Sequence, residues 1–160
     1  MTQNVRRTVL WSAAIVALAS SGLGPARAET TRTAADDPAL TSVEVLYHTN
    51  DDNKDHDTKL LTSVRDNRGV EIATLDEHFG DDTFDDNEDD GPYGLRLTNP
   101  ATLASTGHGR LVVRIEPNGN DTWKFNVFAT LFFSDGSRRV AQERNNSLDQ
   151  DRRQREFEIL

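Results

Sequence analysis

Thr122–Phe133, TWKFNVFATLFF, is the stretch that decides the fold. Trp123, Phe125, Val127, Ala129, Leu131 and Phe133 fall on one face, with Lys124, Asn126 and Thr130 among those on the other. Strict alternation over so long a run is the mark of a β-strand with one face on a core. It predicts the core strand of an all-β domain. Trp123 is expected inside, because it continues the apolar stripe; a lone sugar-stacking tryptophan would not need such companions.

Reading outward, Pro117-Asn118-Gly119-Asn120-Asp121 before this strand and Ser134-Asp135-Gly136-Ser137 after it are turn compositions. Beyond the first turn, Leu111, Val113 and Ile115 alternate over 110–116. Beyond the second, 138–143 is a further strand, and 144–154 (RNNSLDQDRRQ) is a polar connection whose single apolar residue is Leu148. A last strand over 155–160 turns Phe157 and Ile159 inward. Nearer the N-terminus, 42–48 alternates Val43, Val45 and Tyr47, and 59–65 and 70–75 form a hairpin about Asp66-Asn67-Arg68-Gly69. The long acidic loop 76–92 contains Phe79 and Phe84, rings that predict that part of it packs down. A short strand over 93–98 and a polar connection over 99–109 complete the order. No convincing amphipathic helix is present. Eight short strands joined by turn chemistry predict an antiparallel β-sandwich over 42–160.

The N-terminus reads differently. Arg6 and Arg7, an apolar run from Val9 to Ala19, and Ala26-Arg27-Ala28 have the order of a signal peptide (1–28), with cleavage expected after Ala28. The arginine pair also fits twin-arginine export, so the general and twin-arginine routes both stay open. Residues 29–41, small and polar around Pro38, are expected to be a flexible lead-in. The expected product is secreted, with no transmembrane segment in the mature protein. Loss of Arg6, Arg7 and Arg27 leaves 15 basic against 27 acidic residues, a net −12. Such a surface repels nucleic acid and anionic lipid headgroups. With no cysteine in the chain, no disulfide staples the fold.

The acid is concentrated. Residues 51–58 read DDNKDHDT, and Asp51, Asn53, Asp55 and Asp57 are spaced by two. Unit charges about 6 Å apart repel by only ~0.7 kcal/mol in water, but by several times more beside a protein wall. A bound cation or full solvation is therefore required. Oxygens at this spacing can converge as hard Ca²⁺ ligands do, and Asp85, Asn87 and Asp89 repeat the pattern in the second acidic loop. If strands cross end to end, the connections at 49–58, 76–92, 117–121 and 144–154 share one rim. The EF-hand pattern itself fails, with His56 at the loop glycine and Thr62 at the terminal glutamate position.

The order of strand, His48-Thr49-Asn50-Asp51, Asp57-Thr58, strand, Gly69, and later Trp123 opening a long strand resembles the PLAT/LH2 family of β-sandwich modules. That family's T-G-D then G-T-D run is matched in part, with Asn50 in the place of glycine and no glycine before Thr58. The resemblance implies an eight-stranded, non-catalytic sandwich that binds Ca²⁺ in some members and docks to lipid or protein. By position it implies Asp51 and Asp57 as ligands and Trp123 as a core residue.

No G-x-S-x-G elbow, P-loop or cysteine nucleophile is present, and His48, His56, His78 and His108 lack zinc-site spacing. Asn120-Asp121-Thr122 and Asn145-Asn146-Ser147 match the glycan-acceptor pattern, relevant only in a glycosylating host. The expected function is a secreted, calcium-binding β-sandwich acting as a binding or adhesion module for a protein, glycan or lipid. The alternative is a secreted inhibitor or effector that acts on a protein through an exposed loop such as 99–109.

Overall fold

Period-two patterning translates directly into strands. The computed structural model describes residues 37–76 and 78–160; the expected signal peptide 1–28 and residues 29–36 of the lead-in lie outside the described residues. In chain order the elements are β1 (Leu40–Thr49), β2 (Lys59–Arg65), β3 (Glu71–Thr74), β4 (Asp89–Leu97), α1 (Leu103–Thr106), β5 (Arg110–Glu116), β6 (Thr122–Phe133), β7 (Arg138–Asp149) and β8 (Gln154–Glu158). All neighbouring strands are antiparallel, in the order β7-β6-β1-β4-β3-β2-β5-β8.

The all-β expectation holds, and the two faces of the sandwich are one continuous sheet that is nearly barrel-shaped. β4 makes the corner: Tyr93, Gly94 and Leu95 pair with β1, whereas Arg96 and Leu97 pair with β3. At the seam the Leu160 amide donates to the Val140 carbonyl at 3.1 Å. Gly91 permits the bulge where the β1–β4 register shifts, since its φ is +112° and a Cβ there would stand 2.8 Å from the Val45 carbonyl oxygen.

The stripe on β6 faces inward over its whole length, with Trp123, Phe125, Val127, Ala129 and Leu131 fully buried and Phe133 nearly so. It packs with Val43, Val45 and Tyr47 of β1 and with Leu111, Val113 and Ile115 of β5. Trp123 stacks on Phe125 at 4.1 Å between centroids and donates its indole N–H to Thr49 Oγ1 at 3.1 Å. Such a hydrogen bond is what a buried indole requires.

Four segments depart from expectation. β1 starts two residues early, because Ala39 bridges to Thr102 and the Asp37 carboxylate accepts from the Ala104 amide. β4 starts at Asp89, inside the stretch expected as loop. β7 runs on through 144–149, where Asn146, Ser147, Leu148 and Asp149 pair with the start of β6. A bulge there holds Asn145 at φ 56°, its amide accepted by Asn126 Oδ1 at 2.8 Å. In 99–109 a capped helical turn forms, with Thr102 and Ser105 exchanging side-chain and backbone bonds.

Candidate functional site

Alternating connections bring loops 50–58, 75–88 and 117–121 to one rim. The Asn50 amide donates to the Lys124 carbonyl, the Lys124 amide to the Asp52 carbonyl, and the Asn87 amide to the carbonyls of Thr49 and Asn50. Asn118 Nδ2 donates to Asp57 Oδ2 at 3.1 Å. Lys54 and Phe84 exchange both backbone hydrogen bonds at 3.2 Å, tying the two acidic loops together.

Beneath this tie lies an aromatic floor. Phe84 is 1% exposed and Phe79 8%, so the rings in the acidic loop do pack down. Phe84 lies 5.8 Å from Trp123 and 6.0 Å from Tyr47, and Phe79 4.6 Å from Tyr93. Contacts of this kind add about 0.5–1.5 kcal/mol each beyond the area they bury. Tyr47 reaches Thr62 Oγ1 with its hydroxyl, and burial pushes its ionisation far up.

At the centre of the rim is a side chain that none of the sequence expectations included. Lys54 is fully buried, and its ammonium donates to the carbonyl oxygens of Asp55, Thr58, Phe79 and Asp82 at 2.5–3.1 Å. Its Nζ also stands 5.1 Å from the centroid of the Phe84 ring. Burial lowers the Lys54 pKa, while Asp121, Asp82, Asp90 and Asp55 raise it. An uncompensated buried charge costs several kcal/mol. Hydrogen bonds to a charged group recover about 1.5–3 kcal/mol each, so the three that an ammonium can donate, shared among four carbonyls, offset that cost. Phe79 sits at φ 48°, a left-handed conformation costly for a bulky residue; its carbonyl accepts from both Lys54 and the Asp82 amide.

The seven expected metal ligands are dispersed around this cation. Asp51 and the neighbouring Asp52 face Lys124 at 3.3 and 3.6 Å. Asn53 is half-buried, and Asp55 is exposed, its amide 3.4 Å from Asp121 Oδ2. Asp57 is engaged by Asn118, and Asp85 points to solvent. Asn87, at φ 59°, contributes its amide rather than its side chain to the junction. Asp89 lies at the start of β4 and pairs with His48 Nδ1 at 2.7 Å. Among the described residues no three His, Asp or Glu side chains come together as a metal would require. The acidic loops meet at one rim, as counting strands along the chain predicts.

One carboxylate is perturbed upward. Burial, with Glu88, Asp85 and Asp89 nearby, raises the Asp90 pKa to about 6 against the opposing pull of Lys54. Its Oδ2 has no hydrogen-bond partner among the described residues. Beside the cage is an open polar cleft of about 490 Å³, lined by Asn50, Asp51, Asn87, Lys124, Asn145 and Ser147 among others. Among the described residues no helix is long and apolar enough to cross a membrane. No family model matches the chain, and no curated protein matches it.

Proposed function

We propose that the protein is a secreted, non-catalytic β-sandwich module, similar in design to PLAT/LH2 domains, that docks a basic surface of a protein partner onto its acidic rim. One observation carries this reading. The loops are tied down from within, by the Lys54 cage and the rings of Phe79 and Phe84, while Asp55, Asp81, Asp82, Asp85, Asp86, Glu88 and Asp89 stay exposed. A fixed array of one sign of charge raises the local concentration of an oppositely charged partner and speeds its association. Because the array is already ordered, less conformational entropy is lost on binding.

The test compares two variants of equal net charge. Asp85→Lys/Asp86→Lys alters the rim, whereas Glu143→Lys/Glu156→Lys alters exposed strand positions away from it. On an immobilised arginine-rich peptide column, the rim variant should elute at much lower salt than the strand variant. Equal elution of the two would reduce the interaction to net charge alone and refute rim docking.

The alternative, an inhibitory or effector loop over 99–109, has one observation in its favour. Its backbone is braced from outside by Asp37 and Arg139, which bond the Ala104 amide and the Leu103 carbonyl. A braced, exposed loop is what such an inhibitor needs. Chelator-insensitive inhibition of a protease, abolished by Ala104→Arg, would favour it.

A further inference from the structure

We infer that Lys54 is the rim's built-in cation: its ammonium stands where the two acidic loops close on each other, and it orders them with no need of a divalent ion. The four carbonyls that receive it come from both sides of the junction, Asp55 and Thr58 from one loop and Phe79 and Asp82 from the other. Carbonyl oxygens directed inward with carboxylates behind them are also the surroundings of a hard metal ion, but Ca²⁺ requires six to eight oxygens. Here the nearest oxygens are engaged by N–H donors.

The negative groups that face Lys54 belong to every segment packed around it. They are Asp55 of its own loop, Asp82 of the second, Asp90 of β4 and Asp121 of the turn before β6. Asp121 is 5% exposed, so this counter-charge is partly buried with the lysine. A calcium ion added to the junction would meet a fixed positive charge already bonded to its oxygens. Of the other expected carboxylates, Asp51, Asp57 and Asp89 are engaged by Lys124, Asn118 and His48, and Asp85 stands exposed at the surface. The ion that the PLAT/LH2 resemblance implies therefore does not fit these residues as they stand. The rim keeps its shape in calcium-poor or chelating fluid, whatever the partner it binds.

The chain has three lysines, Lys54, Lys59 and Lys124, which permits a direct experiment on the folded wild-type protein. Acetic anhydride followed by peptide mass spectrometry should modify Lys59 and Lys124, which are accessible, and Lys54 roughly tenfold or more slowly until denaturant opens the loops. In a second measurement, melting curves in millimolar CaCl₂ and in EDTA should superimpose, and Lys54→Ala should melt several degrees lower than wild type in both. Acetylation of Lys54 at the rate of Lys59 would overturn the inference. So would a saturable rise in wild-type melting with CaCl₂, or unchanged melting of Lys54→Ala. If Lys54→Ala does not fold, the labelling and the wild-type melting curves still decide.

Discussion

The two ends of the sandwich bury opposite charges by opposite means. At the acidic rim a cation, Lys54, is held by backbone carbonyls; at the other end an anion, Asp66, is held by backbone amides. The Asp66 carboxylate, 3% exposed, accepts from the amides of Arg68 and Val70 at 2.9 Å and from the Arg68 guanidinium at 3.0 and 3.1 Å. Burial works against its ionised form, but the bonds from Val70 and Arg68 hold its pKa below the ordinary carboxylate value. All its partners lie within four residues. Two of the carbonyls around Lys54 come from residues 25 and 28 positions away. The first charge fixes one hairpin turn, whereas the second fixes the meeting of two loops.

The comparison is broken most severely by Lys54→Met, which keeps the stem and removes the charge. The carbonyls of Thr58 and Asp82 then lose their donor, those of Asp55 and Phe79 keep only the amides of Thr58 and Asp82, and Asp121 loses a nearby cation, so a loss of about 3–5 kcal/mol is expected in denaturant titration. Hydrogen exchange should rise in 50–58 and 75–88 together. Asp66→Ala should cost less, about 1–3 kcal/mol, because the freed amides belong to a single turn that water can reach. Its exchange should rise only around residues 66–70.

Asp90 sharpens the contrast through pH. Its folded pKa of about 6 lies above the ordinary carboxylate value, so its contribution to stability is fully present below that ordinary value and is lost as pH rises through about 6. Asp90→Asn, neutral at every pH, should therefore melt higher than wild type at pH 8 and lose that advantage toward pH 4. After allowance for solvent screening the gain at pH 8 is on the order of 1 kcal/mol. The smallest effect is expected from Asp51→Ala, which removes an exposed partner of Lys124. No resolvable change in melting midpoint is predicted, with or without calcium. A large loss specific to calcium buffer would return Asp51 to the role of ligand.

These differences also explain what the sequence discloses. β5 and β6 could be read to the residue because each alternates apolar side chains, β2 because an apolar-rich run ends at a clear turn, and the Asp66 turn because its chemistry is local. The gathering of the acidic loops followed from counting strands. The extension of β7 through Arg144, Asn145 and Asn146 was illegible, since an edge strand needs few apolar residues and the bulge at Asn145 breaks its period. The start of β4 at Asp89-Asp90-Gly91 was hidden for a related reason: its pairing with Tyr47 and His48 is made by backbone, which composition does not record. Lys54 was the hardest to see. Flanked by aspartates in a polar run, it has the local sequence of a solvated lysine, and only the carbonyls of Phe79 and Asp82 make it a buried one. Among those aspartates the sequence leaves open a bound cation or full solvation; Lys54, between Asn53 and Asp55, is buried against backbone carbonyls of both loops.

The incomplete closure of the sheet has a further consequence, for self-association. β7 and β8 are its two edges, and unpaired strand edges are templates on which a second copy can extend a sheet. Here β7 carries Arg138, Arg139, Glu143 and Arg144, and β8 carries Arg155, Glu156 and Glu158. The Leu160 amide already occupies the Val140 carbonyl. An incoming strand thus meets a row of mixed charge and a hydrogen-bonding position that is taken, so the geometry that stops short of a closed barrel resists growth into a fibre.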